Sequence, residues 1–353
     1  MRIMRAVLAL LPLALLAAFA RPAGATGLAF VMNSDSASIS VIDMATHKEL
    51  RRIPVLREPH HWALTPNGKS LLVGDTVGNE LFSFDPATGA LQRTIPCVDP
   101  YQLWFSPNGR FLVVNGLARN QVDVYDGATF RLIKRFHASA MPSHLAFSPD
   151  SSTVFVSLQE TNRLMAIDLN DMRVLWDKPV GKTPAGVLWL HGKLLVADMG
   201  TDYLAEVDPA DGKILRHVIT GKGAHNLFLS PDGKTLWVNN RVAGTTESLH
   251  AESLTPIRTY RISGGPDDLA FAPDGRIWIT RRWAETVAVL DPTTGTIQTI
   301  DVGRSPHGIF LNDAARPQAQ TSLRAAQGRG DLVAADAARV PPMGIAASLR
   351  SSQ

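Results

Sequence analysis

Five of the ten histidines in this 353-residue chain stand one or two positions after a recurring mark that is proline in all seats but one. The prolines are Pro59, Pro100, Pro142, Pro184, Pro266 and Pro306, about 41 residues apart, with Ala224 in the one vacant seat. The first residue after each mark is His60, Tyr101, Ser143, Ala185, His225, Asp267 or His307. The second is His61, Gln102, His144, Gly186, Asn226, Asp268 or Gly308. Imidazole nitrogens with a carboxylate form a ligand set for Zn, Cu, Fe or Mn. The same residues also suit a wet channel in which each imidazole hydrogen-bonds the backbone of a neighbouring unit. No G-x-S-x-G elbow, phosphate loop, C-x-x-C-H haem attachment or H-E-x-x-H helix accompanies them.

The elements that must position these residues follow from two more periodic marks. A turn recurs as TPNGK at Pro66, SPNGR at Pro107, SPDSS at Pro149, SPDGK at Pro231 and APDGR at Pro273, and it is shortened to His191-Gly192 in LHGKLLVAD. Downstream, an apolar run ends in Asp43, Asp85, Asp126, Asp168, Asp208 or Asp291 before a Gly/Thr turn, which assigns these acids to turn capping. Each unit therefore reads as four short antiparallel strands. Such units stack radially into a β-propeller. Counting gives seven blades in an all-β fold, with three strands from residues 27–55 completed by one strand from residues 304–312. Closure of this kind removes exposed sheet edges. The tryptophans Trp62, Trp104, Trp176, Trp189, Trp237 and Trp278 occupy strand positions and read as packing between blades.

Closing the ring gives the histidines an order. His225, Asp267, His307 and His60 stand on four consecutive blades, and they are the expected ligands of one divalent transition metal. The connections between second and third strands should face the same side. They bring Asn33, Asp75, Asn115, Arg119, Arg163, Asp198, Asn239, Arg241, Arg281, Arg282 and Trp283 toward the mouth. From these, Arg119, Arg241, Arg281, Arg282 and Trp283, together with Tyr101 and His144, are the expected contacts of a small anionic ligand.

The first 25 residues read as a cleaved export signal: Arg2 and Arg5 precede AVLALLPLALLAAF, and Ala23-Gly24-Ala25 fits the cleavage site. A periplasmic location is expected, with no membrane span after cleavage. Cys97, the sole cysteine, excludes an intrachain disulfide and takes a seat where sibling units carry Val, as a buried hydrophobe would. Residues 313–353 are rich in Ala and Arg and read as a disordered tail. Setting aside three arginines before residue 27, and five arginines and three aspartates from 313 onward, leaves 27 basic against 29 acidic residues. The folded part is near neutral, so no nucleic-acid partner is expected.

The unit G-x-x-P-x-x-[LI]-x-[FL]-S-P-D-G-[KR]-x-[LI]-x-V-x-N, followed by V-x-V-x-D-x-x-T-G, resembles the YVTN repeat of YncE-like periplasmic propellers, over residues 27–312. That resemblance implies a binding or accessory protein, with the cytochrome d1-like and lactonase-like propellers as wider relatives. Haem d1 domains have eight blades, so the count of seven argues against that cofactor. The segment GGPDDLAFAPDGRIWITRRW is similar to streptogramin lyase and lactonase propellers, which implies the alternative of an enzyme using channel-mouth histidines with a divalent metal. A scaffold that docks another periplasmic protein is the third reading.

Overall fold

The computed structural model of the protein describes residues 27–313. The expected signal peptide, and all of the expected tail except Asp313, lie outside that range. The described residues form seven four-stranded antiparallel sheets, as the repeat predicts. In blade 1, the strand Pro306–Asp313 pairs with Gly27–Asn33, which continues into Ser38–Asp43 and Lys48–Pro54. Asp313 pairs with Gly27, so the closing strand runs one residue past the boundary read from the sequence. Blades 2 to 7 follow in chain order and begin at Pro59, Gln102, Pro142, Pro184, Ala224 and Pro266. Among the described residues no helix is long and apolar enough to cross a membrane.

The turns form for local reasons. In the first, Thr65 and Gly68 close a backbone hydrogen bond, Gly68 takes φ +70°, and Asn67 Oδ1 accepts from the Thr65 hydroxyl and from the Lys69 N–H. Ser106 with Asn108, Ser148 with Asp150 and Ser230 with Asp232 repeat the device. The aspartates after each third strand accept backbone N–H groups two or three residues on, as Asp85 does from Ala87 and Thr88. They are caps, not chemistry.

Packing lies between blades more than within them. The hydrophobic residues sort into seven buried clusters, and each joins two adjacent blades. Phe30 and Phe310 of blade 1, for example, pack with Leu71, Val73 and Phe84 of blade 2. A blade on its own would leave both faces wet, so closing the ring buries two interfaces at once. Cys97 sits in the cluster between blades 2 and 3 with its thiol beside Tyr125. Burial pushes that thiol up to about 12, so it stays protonated and acts as a small hydrophobe.

Phe310 carries the closing strand's share of one interface, with ring centroids 6.0 Å from Phe30 and 4.7 Å from Trp62. Phe310→Ala should lower the unfolding free energy by about 3–5 kcal/mol. Leu91→Ala, at an exposed strand position, should change it by under about 0.5 kcal/mol. Urea unfolding of both variants checks the contrast.

Candidate functional site

Adjacent residues of an unbroken strand face opposite sides. Six of the seven innermost strands break that rule at the two residues after the periodic mark. Pro59 pairs with Asp75, but Trp62 pairs with Val73, and the same register shift falls at Pro142/Leu145, Pro184/Val187, Ala224/Asn226 and Pro266/Leu269. In blade 1 the shift is seen opposite Pro306 and Ile309. A bulge re-aims side chains, and here both residues of the pair turn into the channel. The His60 and His61 rings lie 4.6 and 4.5 Å from that of His307.

Carbonyls freed at the bulges are caught by the preceding blade. Asn115 donates to Ser143 O at 2.9 Å, Ser157 to Ala185 O at 2.7 Å, Asn239 to Asp267 O at 3.2 Å and Thr280 to His307 O at 2.8 Å. Asn115 and Asn239, expected at the mouth, are thus ties between blades. Asp75 serves its own blade, accepting from the Arg57, Glu58 and Gly78 N–H groups.

The first bulge residues form an outer tier around Asp267, which is fully buried. Arg241 donates to Asp267 Oδ1, and His225 Nδ1 lies 2.8 Å from the same oxygen. Arg282 reaches Asp267 Oδ2 at 3.4 Å. Arg241 also donates to His225 Nε2 at 2.7 Å, which fixes the tautomer: Nδ1–H faces Asp267 and Nε2 accepts. Burial alone would raise the Asp267 carboxyl, but the Arg241 guanidinium and the hydrogen bond from His225 hold it well below the usual range. Burial keeps the imidazoles neutral, lowering His60 and His225 and holding His61, His144 and His307 well below their ordinary value.

The expected metal set is brought together as neighbours. His60 gives Nε2 to Glu58 at 2.9 Å and leaves Nδ1 without a partner. Neither nitrogen of His307 is hydrogen-bonded, its Nε2 standing 3.7 Å from Asp267. His225 has both nitrogens committed. Among the described residues no three His, Cys, Asp or Glu side chains are arranged to hold a metal ion.

The expected anion contacts are scattered more widely. Tyr101 is buried against His60 and His61. Arg281 turns away, donating to Thr286 and Thr299 on the outer strands, because its place at the end of a strand aims it back across its own blade. Trp283 is 61% exposed and overlies Gly265. Arg119 is exposed on its loop, and Arg163 pairs with Asp177. Of the Arg281, Arg282 and Trp283 trio, only Arg282 reaches the buried site.

The second bulge residues form an inner tier. His61, Gln102, His144, Asn226 and Asp268 line one end of a small chamber of about 40 Å³. Trp62, Trp104 and Phe228 line its walls. His61 and His144 each present a buried Nε2 with no partner.

A family model for the YNCE-like beta-propeller matches residues 3–317. The chain belongs to the YNCE-like β-propeller family. No curated protein matches it in sequence. Solved structures share the fold at low identity. A functionally unknown protein from Desulfotomaculum acetoxidans is 14% identical with a TM-score of 0.70, covering 81% of this chain and 99% of its own. A putative 6-phosphogluconolactonase from Bacteroides uniformis is 17% identical with a TM-score of 0.63, over 81% and 99%. The dihydro-heme d1 dehydrogenase NirN, solved in complex with DHE, is 15% identical with a TM-score of 0.62, over 85% and 78%.

In this YNCE-like propeller the sequence places both residues of each pair at the mouth without separating them into two tiers, and Trp62 and Trp104, which pack between blades as expected, also line the chamber. The signal was present in the pairing of His60 with His61 and of Asp267 with Asp268. A strand with strict alternation would have hidden one of each pair.

The buried ionisable groups make stability depend on pH. Unfolded, the five imidazoles titrate near 6.5; folded, they stay neutral to lower pH. Unfolding therefore takes up protons as pH falls below about 6.5. Asp198 and Asp268 act in the opposite sense, because burial raises them to about 8 and about 7 and unfolding near pH 5 releases their protons. Five groups against two leave a net uptake of at most about three protons, each contributing about 1.4 kcal/mol per pH unit. The urea midpoint should fall between pH 7 and pH 5, and His61→Asn or His307→Asn should flatten that slope. A wild-type midpoint unchanged across this range would contradict the assignment of neutral imidazoles.

Proposed function

We propose that this protein is a periplasmic binding propeller whose outer tier takes a small anionic ligand through Arg241 and Arg282. One observation carries the reading. Two guanidinium groups converge on a single buried carboxylate, Asp267, and Arg241 keeps a buried Nε with no partner. The buried part of the tier holds two positive charges against one negative, since the imidazoles are neutral and Glu58 stands at the rim with its side chain 35% exposed. Asp267 orients both arginines, so a carboxylate or phosphate meets donors already in place. The export signal read at residues 1–25 supports the location.

A transition-metal ion is the second reading, favoured by the free nitrogens of His60 and His307. Glu58 on His60 Nε2 resembles the carboxylate that orients a metal-bound imidazole. The two readings separate in one experiment. Phosphate, succinate and a sugar phosphate, each against wild type, Arg241→Ala and Arg282→Gln, should raise the wild-type melting temperature and leave both variants unmoved. Ligand at a hundred times its Kd should contribute about 2.7 kcal/mol. Zinc, copper or manganese retained at about one per chain after desalting, and lost in His60→Ala and His307→Ala, would favour the metal instead. Absence of any response to anions in wild type would overturn the first reading.

A further inference from the structure

The geometry points to a second binding site on the inner tier, a chamber that takes a small organic cation, a primary ammonium with an apolar body. Asp268 is buried at the chamber's polar end, which His61 and His144 also line. Its Oδ1 accepts from Leu269 N–H at 2.9 Å and its Oδ2 from Ile309 N–H at 3.1 Å. Backbone groups hold the carboxylate in place without supplying a counter-charge. The charged residue acting on it is Asp267, of the same sign, and neither lysine nor arginine lines the chamber. A buried carboxylate without a cation is costly. A guest ammonium would supply the missing charge.

The rest of the chamber matches the same chemistry. An ammonium group has three N–H donors. The polar end offers the Asp268 carboxylate and two buried imidazole nitrogens, His61 Nε2 and His144 Nε2, that no protein group uses. Gln102 and Asn226 spend their carbonyl oxygens on Leu145 and Leu227 N–H. The walls are aromatic: Trp62 and Trp104 stand edge to face at 5.4 Å, and Phe228 lines the same chamber. Aromatic walls attract a cation and accept its alkyl chain. An anion would meet like charge here. The rings of His60, Tyr101 and His307 pack against His61 or His144, and Arg241 and Arg282 do not line this chamber, so the two sites use different residues.

The test uses the full mature chain in chelator, at pH 7.5, with three probes of equal length: butylammonium, the uncharged alcohol and the carboxylate. Tryptophan fluorescence reports on Trp62 and Trp104, and calorimetry gives affinity. Butylammonium should bind at least tenfold more tightly than either isostere. Asp268→Asn should erase that preference, while Leu91→Ala, at an exposed outer-strand position, leaves it unchanged. Equal affinity for the alcohol, or no binding of the ammonium at millimolar concentration, would overturn the site. So would a folded Asp268→Asn protein that still prefers the cation. The isostere comparison on wild type decides the matter even if the Asn variant does not fold.

Discussion

The β-bulge in the innermost strand is the constraint on which the channel depends. A regular strand would show the channel one residue of each pair and bury the other between blades. The bulge leaves a carbonyl unpaired, and an unpaired buried carbonyl costs about 1–3 kcal/mol. Asn115, Ser157, Asn239 and Thr280 each satisfy the next blade's bulge. The device that opens the site therefore also links the blades, and a blade cannot adopt its functional conformation without its neighbour. Local structure, ring assembly and site geometry form one cooperative unit.

Within that ring, charge is arranged economically. Asp267 has no exposure, yet two arginines and His225 keep it ionised. A buried ion pair seldom adds stability in net terms, because desolvation offsets the attraction. What this one supplies is orientation, since the carboxylate fixes the arginines and the arginine fixes the His225 tautomer. The neighbouring imidazoles remain neutral, and several of their nitrogens have no protein partner. Those unpaired atoms are a cost that the seven interblade clusters can carry and a single blade could not.

Legibility of the sequence follows the range of the interactions. The repeat is written in local chemistry: Gly and Asn or Asp at turns, Asp caps, and apolar alternation. Blade count and closure were therefore readable residue by residue. The cluster of His60, His225, Asp267 and His307 was readable too, because a repeat converts sequence position into position around a ring. Side-chain direction was not. Arg281 and Arg282 are adjacent, and one serves its own outer strands while the other reaches Asp267. Only the register of the strand end decides between them. His144, assigned to the same mouth as Arg241, belongs to the inner tier because it is the second residue of its bulge.

The two tiers differ in sign for a reason that begins in the backbone. Asp267 and Asp268 are consecutive and both buried, yet one faces Arg241, Arg282 and His225 while the other meets only backbone N–H groups. Burial costs both carboxylates. The partners make the outcome opposite, holding Asp267 well below its ordinary range and leaving Asp268 raised to about 7. A one-residue insertion in a strand has thus separated identical side chains into a buttress for cations already present and an acceptor for one that is missing. Any substitution that straightened the bulge would merge the two environments and remove both.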